Sequence, residues 1–311
     1  MKMKPVVWVT EPMHDVVLGQ LAAEVEVIGP GPLPENRARE VEAVIVRAME
    51  VREGLLDRLP SLKVVGKHGA GTDNIDVEAL RRRGVALRRA AGANADSVAE
   101  LAVCQALMLL RAPDLHDAAI RSGANPPSVG GYKGGLGLEG MPVGIVGMGA
   151  IGREVARRFV LGFKAVVSGY DPVLPDASWP PGIVRHSSLD DVLASSRVVC
   201  LHVPLIENTR GLIGARELAI MPQGGFLVNC ARGGVVDEGA LASALASGHL
   251  AGAASDVFFR EPPEAANPLF RTGRFIGTPH IGGATDTALR RTGAEIVVQV
   301  LDQLRQTGLP G

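Results

Sequence analysis

Apolar residues fall along this chain in short β-branched runs, separated by stretches in which they recur at helical spacing. In the first ninety or so positions the runs Val6–Thr10, Val25–Ile28, Ala43–Arg47, Lys63–Lys67 and Val85–Leu87 predict strands, and Val16–Ala23, Val51–Leu59 and Val77–Arg83 predict helices between them. A Pro/Gly-rich turn spans Gly29–Pro34. Strands alternating with helices are the pattern of a parallel sheet, because each crossover must return the chain to the same edge.

Asn94 or Ser97 would cap a long apolar helix reaching about Arg111, with Glu100 three residues after Ser97 as in a capping box. Ser122–Gly140, rich in Gly and Pro, predicts a long loop or arm over a surface or a partner subunit. The alternation then resumes. Strands are expected at Val143–Val146, Ala165–Tyr170, Ile183–Arg185, Val198–Val203, Gly225–Asn229, Ala251–Ser255 and Arg274–Gly277. Helices are expected at Arg153–Val160, Leu189–Ala194, Ala215–Ile220 and Glu238–Ser247, with a last one over Asp286–Arg305 that is free to return to the first unit. The reading is therefore α/β, with two parallel-sheet units.

One junction in the second unit carries chemistry. Gly147, Gly149 and Gly152 fit G-x-G-x-x-G where a buried run meets a helix: the first glycine makes the turn, the second lets a pyrophosphate approach the backbone, and the third lets helix pack on strand. The phosphates would sit on the helix N-terminus. Asp171 ends the next strand roughly 20 residues on, where a carboxylate accepts the adenosine ribose hydroxyls and repels a 2′-phosphate. The expected cofactor is NAD rather than NADP.

Composition narrows the class further. The 311 residues, 46% of them apolar, suffice for two ordinary cores, and a net charge of −1 offers no basic face for nucleic acid. Cys104, Cys200 and Cys230 lie in apolar runs, which predicts three buried thiols in a reducing compartment and no disulfide or metal framework. No signal-peptide pattern opens the chain, and Leu101–Leu110 is only half a membrane span, so a soluble, cytoplasmic protein is expected.

Polar residues gather at the ends of the second unit's strands, where ligands of doubly wound sheets bind. Arg232, before Gly233-Gly234, offers a guanidinium fork suited to a planar carboxylate. His280, in Thr278-Pro279-His280-Ile281-Gly282-Gly283, is the histidine placed for acid/base work. Glu261 is the acid to pair with it, since a carboxylate against an imidazole favours the protonated form that must donate to a carbonyl oxygen. Asp256, ending its own strand, is better placed to bind the nicotinamide amide.

Taken together, Gly147–Gly152, Asn229-Cys230-Ala231-Arg232-Gly233-Gly234, Asp256 with Glu261-Pro262, and Thr278–Gly283 resemble the D-isomer-specific 2-hydroxyacid dehydrogenases in order and spacing. The likeness also covers Gly69–Asp76, Ser97–Glu100, and His202-Val203-Pro204-Leu205 through Thr209-Arg210-Gly211. It implies an NAD-binding Rossmann domain (98–282) inserted into a flavodoxin-like substrate domain made of both chain ends (1–97 and 283–311), and a homodimer. It implies His280 as acid/base, Glu261 as its partner and Arg232 as the group that orients the substrate. Gly147, Gly149, Ala150, Ile151, Gly152, Asp171, Val203, Pro204, Thr209, Cys230, Ala231, Asp256, His280 and Gly282 would meet the cofactor. His68, Gly69, Ala70, Gly71 and Arg47, with Arg232 and His280, would meet a 2-keto or D-2-hydroxy acid, the amides of Ala70 and Gly71 holding its carboxylate.

Three departures shape the expectation. Between Arg111 and Leu138 the tryptophan often found in the family is missing, with Tyr132 the nearest aromatic. The regulatory module of the long phosphoglycerate enzymes is expected to be missing after residue 311. Arg47-Ala48-Met49 stands where phosphoglycerate enzymes commonly carry Arg-Ser-x-Thr, so hydroxyls are lost, although Arg47, Lys67 and His68 could still meet an anionic group. Hydroxypyruvate or glyoxylate is therefore favoured, with 3-phosphoglycerate next. The competing readings are an NAD-sensing, corepressor-like binding protein and a formate or phosphite dehydrogenase on the same scaffold.

Overall fold

A computed structural model describes residues 4–123 and 135–307. The chain divides into two compact units, residues 1–94 with 283–311 and residues 95–282. Most of the glycine- and proline-rich segment, Tyr132 included, lies outside the described residues.

The first unit is built from β1 (Val6–Val9), α1 (Asp15–Glu24), β2 (Glu26–Ile28), β3 (Val41–Val46), α2 (Glu53–Leu56), β4 (Val64–Lys67), α3 (Val77–Arg82) and β5 (Ala86–Arg89). Its five strands run parallel in the order β2-β1-β3-β4-β5, the flavodoxin-like arrangement. The inner strands β1, β3 and β4 are buried on both faces, which is why they read as unbroken apolar runs, whereas the edge strands β2 and β5 are only partly buried. The helix expected over Val51–Leu59 is shorter than its apolar spacing suggests. Val51 forms a parallel bridge with Ile75, so α2 starts only at Glu53.

The second unit opens with α4 (Ala95–Arg111) and α5 (Pro113–Arg121). The latter is absent from the hydrophobic pattern because none of its residues is buried; Pro113 in its first turn is the sequence signal it did leave. There follow β6 (Pro142–Val146), α6 (Ala150–Phe163), β7 (Val166–Tyr170), β8 (Val184–Arg185), α7 (Leu189–Ser195), β9 (Val198–Leu201), α8 (Ala215–Ile220), β10 (Gly225–Asn229), α9 (Glu238–Ala246), β11 (Leu250–Ser255) and β12 (Phe275–Gly277). Seven parallel strands lie in the order β12-β11-β10-β9-β6-β7-β8. The chain reverses direction across the sheet between β6 and β9, the switch point at which ligands of such sheets bind.

The last helix, α10 (Asp286–Thr307), returns to the first unit, where Ile296, Val297, Val300, Leu301 and Leu304 join Val17 and Leu21 of α1 over one face of the sheet. Contact there is close: a Cβ at Gly66 of β4 would come within 2.6 Å of Val300. Of the three cysteines, Cys200 and Cys230 are buried but Cys104 is exposed, contrary to expectation. It lies on α4 between Val103 and Gln105, on the face turned away from the buried stripe of Ala102, Ala106 and Leu109. Among the described residues no helix is long and apolar enough to cross a membrane.

Candidate active site

The turn from β6 into α6 is shaped by what its glycines meet. Gly147 has φ +92, and a Cβ there would strike the His202 carbonyl at 2.6 Å. A Cβ on Gly152 would lie 2.0 Å from the Gly147 carbonyl, so only glycine lets the helix pack this close to the strand. Around Gly149 no atom of the described residues lies within 4 Å of the corresponding position. Gly149 is also the N-cap of α6, which has no side-chain cap and no acidic residue in its first turn, whereas α7 and α9 are capped by Ser188 and Asp237. Open backbone at an uncapped helix N-terminus, with its N–H groups unspent, fits the pyrophosphate of a dinucleotide. Ala150 and Ile151 form the first turn of that helix.

Asp171 stands just past the end of β7. Its carboxylate accepts the Met148 N–H at 2.9 Å and those of Val173 and Leu174 at 3.0 and 3.1 Å, which ties the end of β7 to the glycine turn. A carboxylate offers about four acceptor positions. One is thus left for a ribose hydroxyl. Val203, Pro204 and Thr209 follow β9; the Thr209 hydroxyl accepts the Ile206 N–H at 2.9 Å and so closes that loop. The preceding His202 has both ring nitrogens buried without a partner among the described residues, and burial pulls its pKa down to about 3.

The acid/base candidates meet at the ends of β10, β11 and β12. Asn229 turns the chain after β10, its Oδ1 accepting the Ala231 N–H at 3.0 Å and its Nδ2 donating to the Arg232 carbonyl at 3.1 Å. Gly233 then presses on the loop after β11 so tightly that a Cβ would lie 1.9 Å from the Phe258 carbonyl carbon. That approach brings Arg232 towards Glu261. The Glu261 Oε2 is 2.8 Å from His280 Nδ1, and its Oε1 accepts the Phe258 N–H at 3.1 Å. Burial alone would push the Glu261 pKa up, but the hydrogen bond and charge of His280, the Phe258 N–H and the charge of Arg232 together bring it below the ordinary carboxylate value. Glu261 is therefore an anion facing the imidazole, and the His280 Nε2 edge has no partner among the described residues.

His280 sits at φ +55, a left-handed conformation that a residue with a side chain adopts only where its surroundings impose it. Asp256 imposes it. Its backbone carbonyl accepts the His280 N–H at 2.8 Å, and its carboxylate, 2% exposed, accepts the Thr278 hydroxyl at 2.6 Å and the N–H groups of Ile281 and Gly282 at 2.8 Å each. The sequence offered Asp256 as a partner of the nicotinamide amide; the structure gives three of its acceptor positions to the turn that carries the histidine, which leaves one. Cys230 and Ala231 are buried beside this turn, the Cys230 thiol held neutral by burial and by the Asp256 charge.

The substrate residues expected in the first unit gather at the ends of β3 and β4. His68 is buried with Nε2 unpartnered among the described residues, and burial, then the charge of Arg47, lowers its pKa so that the ring is neutral. Gly69 has φ +138 and begins the turn carrying Ala70 and Gly71. Two details were not legible beforehand. Glu11 accepts the backbone N–H groups of Arg47, Ala48 and Met49 at 2.5–2.8 Å, filling the loop after β3 with the chain's own carboxylate. Lys67 turns its ammonium inward, onto the Arg47 carbonyl and Asn74 Oδ1.

Residues 103–282 match the family model of the D-isomer specific 2-hydroxyacid dehydrogenase, NAD binding domain. Among curated relatives, the chain is 39% identical over 92% of its length to a (S)-sulfolactate dehydrogenase of Chromohalobacter salexigens, covering 94% of that protein. It is 37% identical over 85% of its length to a hydroxypyruvate reductase of Thermotoga maritima, again covering 85% of that protein. With a D-3-phosphoglycerate dehydrogenase of Methanocaldococcus jannaschii it shares 35% identity over 96% of its length, but it spans only 57% of that longer chain. The crystal structure of the TT0316 protein of Thermus thermophilus superposes with a TM-score of 0.87 at 32% identity, covering 97% of each chain. The chain belongs to the D-isomer-specific 2-hydroxyacid dehydrogenase family, and its second unit is that family's NAD-binding domain.

Proposed function

We propose that the protein is an NAD-dependent oxidoreductase that moves a hydride between NAD(H) and C2 of a small 2-keto or D-2-hydroxy acid, with hydroxypyruvate or glyoxylate as substrate. The observation that carries this reading is the pair His280 Nδ1–Glu261 Oε2 at 2.8 Å, with the other edge of the imidazole unpartnered among the described residues and the Arg232 turn packed alongside. NAD supplies the hydride chemistry when bound. His280 gives the proton from Nε2 to the substrate oxygen as the keto group is reduced, and takes it back in the reverse direction. Glu261, ionised, stabilises the imidazolium before transfer and fixes the ring so that Nε2 faces outward. Arg232 orients the carboxylate and polarises the carbonyl. The amides of Ala70 and Gly71 are assigned to the substrate carboxylate on the family resemblance alone.

The preference for an unphosphorylated substrate is supported by the first unit. Lys67 is engaged internally, the amides of residues 47–49 are spent on Glu11, and Ala48 and Met49 bring no hydroxyls. Arg47 is then the chief group left to meet a second anion. The relative named hydroxypyruvate reductase points the same way. A homodimer in the cytoplasm completes the reading; an open apolar groove on the second unit, lined by Val103, Leu107, Met108, Leu161 and Phe163, supports the dimer.

The test is NADH oxidation with glyoxylate, hydroxypyruvate, pyruvate and phosphohydroxypyruvate. His280→Ala is expected to lower kcat by about 10²–10⁴-fold, the usual share of a positioned acid/base group. Turnover that survives this change, or a wild-type preference for the phosphorylated acid, overturns the corresponding part of the proposal.

A further inference from the structure

Gln105 is a polar residue in the middle of the buried stripe of α4, 1% exposed and flanked on that face by Ala102, Ala106 and Leu109. A carboxamide buried without partners costs about 1–3 kcal/mol, so its partners are what define its role. Its Nε2 donates to Thr278 Oγ1 at 3.0 Å, and its Oε1 accepts the Cys230 thiol at 3.4 Å. Thr278 in turn donates its hydroxyl to Asp256, whose carboxylate holds the N–H groups of Ile281 and Gly282.

Every donor in this series points the same way, from thiol through carboxamide and hydroxyl to carboxylate. Both ends enforce the direction: a carboxylate can only accept, and a neutral thiol has one hydrogen to give. A carboxamide turned end for end would set its NH₂ against the thiol and its oxygen against Thr278, whose single hydrogen would then be divided between Gln105 and Asp256. Buried chains of this kind polarise one another and rigidify what they hold. What they hold here is the turn that keeps His280 at φ +55.

We infer that Gln105 is a positioning residue for His280, acting through Thr278 and Asp256 and touching neither substrate nor cofactor. The inference deepens the proposed function and rests on its assignment of His280 as the proton donor. Without the carboxamide, the Thr278 hydroxyl is free to rotate, Asp256 loses a charge-assisted O–H donor, and the turn from 278 to 282 samples conformations in which the imidazole leaves Glu261.

The experiment compares Gln105→Met, which keeps the volume and loses both hydrogen bonds, with Thr278→Val and Thr278→Ser in the full chain. Amide hydrogen exchange at Ile281 and Gly282, which needs no substrate, is expected to accelerate about tenfold in Gln105→Met and Thr278→Val, the loss of roughly one net hydrogen bond. Exchange at the sheet amides of Val228 and Ala254 stays at the wild-type rate. With hydroxypyruvate, kcat is expected to fall by a similar factor while the KM for NADH changes less than about twofold, and Thr278→Ser restores both. The double variant Gln105→Met/Thr278→Val is no worse than the poorer single, because both cut one chain. A lowered melting temperature with wild-type exchange at Ile281 and Gly282 and wild-type kcat overturns the inference and leaves Gln105 a packing residue. If Gln105→Met fails to fold, Thr278→Val carries the same readouts. If the wild type reduces no keto acid, the proposed function fails, and the exchange rates alone still decide the positioning role.

Discussion

Both units are parallel sheets wound from an inner first strand, in different strand orders, and they use the turn after that strand in opposite ways. In the first unit the chain leaves β1 through Thr10 and Glu11, and the Glu11 carboxylate reaches across to take the N–H groups of Arg47, Ala48 and Met49. In the second it leaves β6 through Gly147 and Gly149, and the N–H groups at the start of α6 are met by no side-chain cap. An anion is already built into the first unit at the sheet's switch point. The second keeps the equivalent place open for one that must bind. At this turn the difference lies in a few side chains, which is why a parallel-sheet pattern alone could not say which unit takes the dinucleotide.

The sharpest way to break this contrast is to give the second unit an anion of its own. Gly149→Asp places a carboxylate at the open N-cap, with room for it and a backbone conformation that L residues adopt. NADH affinity, measured by quenching of tryptophan or enhancement of cofactor fluorescence, is expected to fall at least about 100-fold through repulsion of the pyrophosphate. The melting temperature should hold or rise, since Asp is a favoured N-cap. Loss of fold together with binding would mean that the space at Gly149 is structural.

The converse change empties the first unit. Glu11→Ala leaves three backbone donors without their carboxylate and is expected to cost about 1–3 kcal/mol of stability, read from denaturant unfolding. The pH dependence follows from the direction of the Glu11 shift. Burial raises its pKa, but Thr10 and the three N–H groups outweigh that and leave it below the ordinary value. Its contribution is therefore present above the unfolded carboxylate pKa of about 4.3 and is lost as pH falls through the lower folded value. Wild type and Glu11→Ala should converge in stability on acidification, and a constant gap down to the acid transition would refute the assignment.

The smallest effect is expected at the rim of the open turn. Asp171→Asn keeps an acceptor for the Val173 and Leu174 N–H groups but removes the charge that opposes a 2′-phosphate. The ratio of kcat/KM for NADH over NADPH should drop by about tenfold, and an unchanged ratio would show Asp171 to be a loop brace alone.

What could be read from the sequence, and what could not, divides along a physical line. Gly147 and Gly152 were legible because each answers a demand of the backbone that no other residue meets, Gly149 because of its spacing between them, and the inner strands because burial on both faces writes them as unbroken apolar runs. Arg232, Glu261 and His280 could be singled out by their places at strand ends, but their meeting depends on Gly233 against Phe258, a contact between loops with no local signature. The strain at His280 and the hold of the Asp256 carboxylate on its turn were hidden for the same reason: both arise from hydrogen bonds between residues distant in sequence. Gln105 left a signal that went unread, a lone carboxamide on the apolar stripe of a helix. Glu11 and the inward turn of Lys67 left none beyond their charge.

The return of α10 to the first unit bears on how the chain is made. Sheet β2-β1-β3-β4-β5 leaves the ribosome early, but Val300, Ile296 and the rest of the apolar stripe that seals one face of it, against Gly66 among others, emerge last. The second unit, continuous from 95 to 282, has all its strands before that moment. During synthesis the order of completion therefore reverses the order of translation: the cofactor half closes while the half begun first still waits, with valine and isoleucine exposed, for its final helix. A chaperone that guards this protein would be expected to hold the N-terminal sheet, and to release it only when α10 has arrived.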